Sequence, residues 1–268
     1  MFWEKYHSWE TAEAAWDQGA KKAELNQAMR KLKTFPNIPG ITTETQKGLK
    51  WKSFKYMVTH DRQRVILRHF LKHPIRYGFR LLYSLFRKTS YRKDEDFFLY
   101  GISSVQDFEK RLKNSILAVG FSYCQKPLEC PSGRFTDRCM HQADHPICRQ
   151  CPIGKIVHAL PKNKVKPLII PTIHYIGEKV FDLIHNYPDQ QVLFLITACE
   201  LTLKMFADYG NMAGLKGIGI RLDGRICNTM RAFELSEKGI KPGLTLFTPK
   251  TEKRVLELIR KIREYAFS

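Results

Sequence analysis

Short apolar runs alternate with amphipathic segments through the second half of the chain. Several runs are rich in Val, Ile and Leu and lack a polar residue at every second position, which is typical of strands covered on both faces. The predicted strands are 165–170, 191–197, 217–222 and 244–247, and the predicted helices that follow them are 173–187, 201–209, 230–238 and 251–264. Because strands that alternate with helices pair in parallel, the pattern predicts an α/β fold with a mostly parallel, Rossmann-like sheet.

The first half of the chain has a helical pattern instead. Apolar residues recur at helical spacing over 9–33 and over 103–116, where Ser104 or the serine before it is a suitable N-cap. We therefore predict a helical, basic N-terminal region over 1–118, followed by a cysteine-rich loop and an α/β domain over 119–268.

A basic amphipathic stretch lies inside this N-terminal region, and Pro74 interrupts it. Its basic residues, with no acidic residue between them, are Arg62, Arg64, Arg68, Lys72, Arg76, Arg80, Arg87, Lys88, Arg92 and Lys93. Together with the net charge of +19, they favour an anionic partner. Three interpretations stay open: helices packed on the α/β domain with a solvated basic face, an anchor on an anionic membrane surface, or a phosphate-contacting surface for RNA or DNA.

The cysteines are concentrated in one short segment. Five of the seven lie between residues 124 and 151, at Cys124, Cys130, Cys139, Cys148 and Cys151, and none precedes them. The odd count, together with a start that lacks the layout of a signal peptide, argues against a disulfide framework. No apolar run reaches the ~18 residues that a transmembrane helix needs. We therefore expect a soluble, cytoplasmic protein whose cysteines are reduced.

The spacing of these five cysteines, C-x5-C-x8-C-x8-C-x2-C, suits a metal centre. The close pair Cys148 and Cys151 can reach one metal from a tight turn, and Pro152 suits the start of a helix whose positive end favours a thiolate. Because only one close pair occurs, and because Cys-Pro recurs in ferredoxin-type segments, we predict a 4Fe–4S iron–sulfur centre. Its predicted ligands are Cys130, Cys139, Cys148 and Cys151, with Cys124 as a further metal-binding candidate.

Two alternatives to the iron–sulfur cluster stay open. His141 or His145 could complete a zinc site together with the cysteines. Free cysteines are also often buried without any metal, although the polar, proline-rich surroundings argue against that here. Zinc is therefore the second cofactor that we consider.

The remaining two cysteines follow predicted strands. Cys199 comes directly after the strand at 191–197, and Cys227 comes shortly after the strand at 217–222. Parallel strands end at one edge of the sheet, where ligands of α/β proteins bind in a crevice. We predict a cofactor-binding cleft at this edge, formed by Cys199, Glu200, Cys227 and Thr229, with Asn228 and His174 beside it. Together with Cys124, the two cysteines Cys199 and Cys227 are expected to bind a second centre or to face a substrate.

Three short motifs resemble a known family. They are Cys148-x-x-Cys151-Pro152 with Gly154-Lys155, then Ala198-Cys199-Glu200, and then Leu222-x-Gly224-Arg225-x-Cys227-x-Thr229. In this order and spacing they resemble the cysteine-rich bacterial and archaeal family called domain of unknown function 116, over roughly residues 120–248. The resemblance implies a metal or cluster role for Cys148, Cys151, Cys199 and Cys227, and it implies no particular reaction.

Together these patterns predict an iron–sulfur protein with a redox or sulfur-chemistry role, whose centre lies at the carboxyl edge of the sheet. The alternative is a zinc-stabilised binding module whose basic N-terminal face, through residues 62–93, contacts nucleic acid or an anionic membrane. The sequence leaves open whether the protein is an enzyme, and it identifies no substrate.

Overall fold

The computed structural model describes residues 1–30, 40–61, 64–87 and 91–267. Its strands are β1 (Arg92–Asp94), β2 (Phe97–Tyr100), β3 (Ser115–Ser122), β4 (Val165–Ile170), β5 (Gln191–Cys199), β6 (Lys216–Gly224) and β7 (Thr245–Leu246). Its helices are α1 (Trp9–Asn26), α2 (Thr43–Gln46), α3 (Leu49–Thr59), α4 (Val65–Lys72), α5 (Pro74–Phe86), α6 (Val105–Leu112), α7 (Pro146–Gln150), α8 (Pro152–Ala159), α9 (Ile173–Asn186), α10 (Glu200–Ala213), α11 (Met230–Ser236) and α12 (Pro249–Phe267). Short 3₁₀ turns at Phe2–Lys5 and Tyr123–Gln125 precede α1 and follow β3.

Most strands of the sheet run parallel. They lie in the order β1-β2-β6-β5-β3-β4, and β7 pairs with the end of β6. β6, β5, β3 and β4 are parallel, whereas β1, β2 and β7 are antiparallel to their neighbours. Gly120 in the centre of β3 lies opposite Leu168 of β4 and Ile196 of β5. The predicted α/β fold with a mostly parallel sheet is therefore confirmed.

The chain reverses its direction across the sheet at β3. From β3 it passes to β4 on one side, and from β4 it crosses back to β5 on the other side. Parallel α/β sheets leave a crevice at such a reversal, outside the carboxyl ends of the strands. Because β3 ends at Ser122 and β5 ends at Cys199, the crevice opens between these two residues.

Apolar side chains cover both faces of the sheet, which explains why its strands lack polar alternation. Every residue of β5 after Gln191 is buried, and so is every residue of β3 before Ser122. On one face, Val119 of β3 belongs to a core shared with α6, α8 and α12. On the other face, Ala118 and Ile196 belong to a core shared with α9 and α10.

The predicted helix over 103–116 is wrong at its carboxyl end. The helix starts as expected, because the Ser104 hydroxyl accepts a hydrogen bond from the Asp107 amide at 3.1 Å. However, α6 ends at Leu112, and β3 begins at Ser115. Burial in the middle of the sheet decides the conformation of this segment. The short strands β1 and β2 were not predicted, because runs of three or four residues show no distinct period.

The division at residue 118 passes through β3, and the region before it is not purely helical. β1 and β2 come from this region and pair with the sheet at β6. Trp3 and Trp16 are buried in the same core as β3. Of the helix predicted over 9–33, α1 covers Trp9–Asn26, and residues 31–33 lie outside the described part of the chain.

The basic stretch forms the two helices α4 and α5, and Pro74 is the first residue of the second, consistent with the interruption that the sequence indicates. Arg62 and Lys88 lie outside the described residues. Within the part of the chain that the structure describes, no helix combines the length and the apolar character that crossing a bilayer requires.

Candidate functional site

All seven cysteines are free thiols, and the fold sorts them into two groups. In the first, Cys130 and Cys139 interact electrostatically with both Cys148 and Cys151. We call these residues the four-cysteine group: Cys130, Cys139, Cys148 and Cys151. The second group lies in a cavity at the carboxyl edge of the sheet, which we call the thiol crevice, and consists of Cys124, Cys199 and Cys227. The five cysteines of the loop are thus divided, since Cys124 lies with the two sheet-edge cysteines.

Tight turns and helix starts shape the four-cysteine group. The Cys130 amide donates to the Pro127 carbonyl at 3.1 Å, and the Gly133 amide donates to the Cys130 carbonyl at 2.9 Å. Cys148 lies in α7, and Cys151 is the single residue between α7 and α8. α8 starts with Pro152, which has no amide N–H. The amides that follow it in the first turn have no partner within the helix, so they are free to face the Cys151 sulfur.

Backbone amides lie near three sulfurs of this group and lower the pKa of their thiols. They are the amides of Ile153 and Gly154 for Cys151, of Gln142 for Cys148 and of His141 for Cys139. Burial raises the pKa of all three thiols, to about 12 for Cys151, and the amides only partly offset this effect. A bound metal would reverse the balance, because a coordinated thiol is deprotonated by the charge of the metal.

A buried lysine lies beside the same sulfurs. Lys126 is 1% exposed, and its ammonium donates to Thr136 Oγ1 at 2.8 Å, to the Arg138 carbonyl at 2.9 Å and to the Gly133 carbonyl. Burial lowers the pKa of Lys126, and three members of the four-cysteine group oppose that shift. The ammonium therefore orders the loop and places positive charge next to the sulfurs, which favours their thiolate form.

Helix α1 covers the segment that carries Cys148 and Cys151. The Arg149 guanidinium lies between the rings of Phe2 and Trp16, 4.2 and 4.3 Å from their centroids. It also donates to two carbonyls of α1, at 2.9 and 3.2 Å. These contacts tie the N-terminal region to the four-cysteine group.

Two residues of the family-like motif, Gly154 and Lys155, have packing roles here. A Cβ atom at position 154 would lie 2.3 Å from the Cys148 carbonyl oxygen, so only glycine fits. The Lys155 ammonium pairs with Asp17 of α1 at 2.8 Å and with Glu13 at 3.3 Å. The glycine thus allows α7 and α8 to approach closely, and the lysine fastens α8 to α1.

The candidate zinc ligands His141 and His145 contact the backbone. Nδ1 of His141 hydrogen-bonds with the Cys139 carbonyl at 3.0 Å, and Nδ1 of His145 accepts from the Ile147 amide at 3.2 Å as the cap of α7. Across residues 1–30, 40–61, 64–87 and 91–267, no three His, Cys, Asp or Glu side chains converge tightly enough to enclose a single metal ion.

The thiol crevice lies at the reversal of the sheet. Cys124 is in the turn after β3, Cys199 ends β5, and Cys227 follows β6. The cavity has a volume of about 40 Å³, room for one or two water-sized groups. Lys241 reaches into it and donates to Cys227 Sγ at 3.1 Å, while Cys199 Sγ lies 3.2 Å from Thr202 Oγ1.

Cys199 and Cys227 form an unequal pair. A hydrogen bond from Cys227 lowers the pKa of Cys199, and Lys241 and Thr202 lower it further against the effect of burial. That hydrogen bond and burial raise the pKa of Cys227. Burial lowers the pKa of Lys241, but the three thiols together raise it above the ordinary value. Cys199 is therefore the more acidic thiol of the pair.

Glu237 adds a further titratable group to the crevice. Burial raises its pKa to about 8, with a smaller contribution from Cys199, although a hydrogen bond from the Ile173 amide opposes the shift. That amide donates to Oε2 at 2.9 Å. At neutral pH the carboxyl group is therefore mostly protonated, and it adds little negative charge beside Cys199.

Glu200 and Thr229, which the sequence assigns to the cleft, have other contacts. Glu200 pairs with Lys204 at 2.9 Å along α10, and Thr229 caps α11 by accepting from the Ala232 amide at 3.2 Å. Each lies at the start of a helix, where side chains often contact groups of the helix itself. Neither is among the described residues that line the crevice. Of the two further candidates, Asn228 accepts from the Thr42 amide through its backbone carbonyl, and the His174 side chain hydrogen-bonds with the Met57 carbonyl.

Three basic residues near the cysteines were not predicted: Lys126, Arg134 and Lys241. Arg134 links the two cysteine groups, because its guanidinium donates to the Cys124 carbonyl at 3.4 Å and to the Lys126 carbonyl at 3.2 Å. It also donates to the carbonyl of Lys241. Lys126 and Arg134 lie inside the cysteine segment, so a search for basic residues there could have found them. Lys241 gives no such signal, because only the tertiary structure brings it to the crevice.

Comparison with family models, with curated proteins and with solved structures gave no match to this chain. The resemblance to domain of unknown function 116 therefore stays a prediction, and the function has to be argued from the two cysteine groups.

Proposed function

We propose that this protein is an iron–sulfur protein, in which Cys130, Cys139, Cys148 and Cys151 bind a 4Fe–4S cluster. The observation that carries the proposal is the grouping of these four thiols around backbone amides and the buried Lys126 ammonium. Backbone amides and positive charge close to the sulfurs are among the factors that set the potential of such clusters. Contacts of this kind also orient the side chains that bind a metal.

A cluster fits this group better than a single zinc ion does. The sulfurs around one zinc ion lie about 3.8 Å apart, because each Zn–S bond is about 2.3 Å long in a tetrahedral site. In a cubane cluster each thiolate binds a different iron, so the four sulfurs stay further apart. The described thiols are grouped, but no three of them converge on one ion as they stand. Zinc stays the alternative cofactor.

The thiol crevice is the place where we expect chemistry to occur. It lies where the strand order reverses, the position at which open α/β sheets bind their ligands, and on this basis we propose a Rossmann-like parallel unit. Cys199, its more acidic thiol, has Lys241 and Cys227 beside it. The turn Tyr123–Gln125 and Lys126 directly after it connect the crevice to the four-cysteine group. We propose a redox or sulfur-chemistry role in the cytoplasm, on a substrate whose reacting end is small.

Anaerobic purification followed by iron, sulfide and zinc analysis tests the proposal. We expect a brown protein that absorbs near ~400 nm and contains iron and sulfide. Cys148→Ser and Cys151→Ser should each lose most of the iron. The matched variants Cys199→Ser and Cys227→Ser should keep it, because these residues lie in the other group. A colourless protein with stoichiometric zinc, or iron loss in all four variants alike, would overturn the proposed cluster.

A further inference from the structure

The outer surface of helices α4 and α5 is apolar, although these helices also carry basic residues and no acidic residue. Three α5 side chains are largely exposed: Ile75 at 75%, Phe79 at 72% and Phe86 at 79%. Leu82 and Tyr83 of α5, and Leu67 and Leu71 of α4, are exposed as well. Isolated exposed apolar residues are normal on protein surfaces, but these two consecutive helices carry seven of them.

The spacing of these residues shows that the patch is a second apolar face, not part of the core. Ile75, Phe79, Leu82 and Phe86 recur every three or four residues and so line one side of α5. Leu67 and Leu71 do the same on α4. A different set of side chains on these helices packs inward against the core: Ile66, Phe70, Tyr77 and Leu81. Packing against the α/β domain therefore leaves the outer face uncovered.

Basic side chains surround this outer face. Arg64, Arg68, Lys72, Arg76 and Arg87 are exposed, and the described range 64–87 contains no acidic residue. An apolar face bordered by Lys and Arg matches the chemistry of a bilayer interface, where acyl chains cover the apolar residues and anionic headgroups attract the basic ones. The phosphates of a nucleic acid would satisfy the charges but would leave Phe79 and Phe86 in water.

The apolar surface continues into a cavity. A space of about 390 Å³ between α3, α4, α5 and α10 is lined mainly by apolar residues. Phe54, Val58 and Leu67 line it and are themselves exposed, so the cavity opens toward the surface. The rim of the cavity thus extends the apolar face from α4 to α3.

We propose that α4 and α5 form a docking face for an anionic lipid bilayer, with the apolar stripe of α5 entering the acyl region and the surrounding basic residues contacting headgroups. This face lies on elements other than those that carry the two cysteine groups. The proposal therefore does not depend on the identity of the metal.

Vesicle flotation with the full-length protein tests this proposal. We expect binding to vesicles of one part phosphatidylglycerol to two parts phosphatidylcholine, and weak binding to phosphatidylcholine alone. The double substitution Phe79→Ser and Phe86→Ser should lower the coefficient for partition onto vesicles at least about tenfold, because two aromatic rings would no longer enter the acyl region. Leu25→Ser, at an 88% exposed position on α1, is the matched control and should bind as the unaltered protein does.

Substitutions of basic residues distinguish a lipid bilayer from other kinds of partner. Lys72→Gln with Arg76→Gln should weaken binding about fivefold per residue at low salt, and Lys21→Gln with Lys22→Gln on α1 should have a smaller effect. Circular dichroism of every variant checks that it is folded. Three results would overturn the proposal: no preference for anionic vesicles, binding unchanged by the phenylalanine substitutions, or self-association without lipid that those substitutions abolish. Oligonucleotide binding that responds to the charge variants alone, without vesicle binding, would indicate nucleic acid instead.

Discussion

Two lysines, Lys126 and Lys241, each lie beside several cysteines, yet their pKa values shift in opposite directions. Burial dominates at Lys126 and lowers its pKa, whereas the surrounding thiols dominate at Lys241 and raise it. Both positive charges favour neighbouring thiolates. At the crevice the pKa of Cys199 falls below its ordinary value, because Cys227, Lys241 and Thr202 lower it against the effect of burial.

We predict that the positive charge of Lys241 increases the reactivity of Cys199 at neutral pH. Because the ammonium lowers the pKa of Cys199, Lys241→Met should move the midpoint of its alkylation rate against pH upward by about one unit. Less thiolate would then be present at neutral pH, and the rate there would fall. Iodoacetamide labelling followed by mass spectrometry of the Cys199 peptide measures this midpoint.

The other titratable groups at the crevice are Cys124, Cys227 and Glu237. Because the pKa of Glu237 is raised to about 8, the labelling is repeated in Glu237→Gln to separate its titration from that of Cys199. Lys238→Met removes the same charge from an exposed position nearby and should leave the midpoint unchanged. Equal midpoints in the Lys241→Met variant and the unaltered protein would contradict the assignment of Cys199 as the more acidic thiol.

At the scale of elements, the four-cysteine group depends on how closely two short helices approach each other. α7 and α8 are separated by Cys151 alone, and Gly154 of α8 faces the Cys148 carbonyl. α1 then covers both helices through Arg149 and Lys155. The N-terminal helix, which has no cysteine, is thus part of the structure that holds the candidate centre.

Gly154→Ala tests the contact between α7 and α8. An added Cβ would lie 2.3 Å from the Cys148 carbonyl oxygen, so the helices must separate. We expect a loss of about 1–3 kcal/mol in the free energy of unfolding, together with a lower iron content. Urea denaturation and metal analysis measure the two effects.

Gly78→Ala is the matched control for this substitution. Gly78 also lies within a helix, α5, and the nearest atom to an added Cβ there is 3.8 Å away. Alanine should stabilise that helix by up to about 1 kcal/mol, because it is the better helix former. If Gly154→Ala behaved like Gly78→Ala, the close approach of α7 and α8 would be unimportant for the centre.

At the scale of the whole molecule, the candidate centre joins parts of the chain that are far apart in sequence. Residues of α1, of the 126–151 segment and of the turn that carries Lys241 meet around the two cysteine groups. A metal bound to the four-cysteine group would therefore stabilise more than its own loop. The basic, apolar surface of α4 and α5 belongs to another part of the fold.

Removal of the metal should lower the melting temperature of the whole domain. Ligand binding to the folded state adds to its stability, and metal sites contribute several kcal/mol in this way. We expect the metal-free protein to melt at least about 5 °C lower than the loaded protein by differential scanning calorimetry. Cys199→Ser should show the same difference in melting temperature between its loaded and metal-free forms. Cys148→Ser should instead melt like the metal-free form of the unaltered protein. Identical melting of loaded and metal-free protein would show that the metal site is not part of the fold.

Much of the fold and part of the site could be predicted from local patterns. The buried strands β4, β5 and β6 show continuous apolar runs, so that the α/β fold followed from the sequence. The central strand β3 was not predicted: its first two residues were assigned to the helix over 103–116, because local spacing could not reveal that two other strands enclose the segment. Glu200 and Thr229 lie after the strands β5 and β6, as the prediction of the cleft requires. Their side chains, however, contact residues of the helices that they start.

The sequence by itself determined that seven cysteines, five of them in one segment, accompany an α/β fold in a strongly basic chain. Composition and local spacing contain this information. Only the tertiary structure brought Cys124, which is close in sequence to the four-cysteine group, into one cavity with Cys199 and Cys227. It also brought Lys241 to Cys227 and left an apolar face of α5 uncovered. Contacts between distant segments depend on how the strands are ordered, and no local pattern encodes that order.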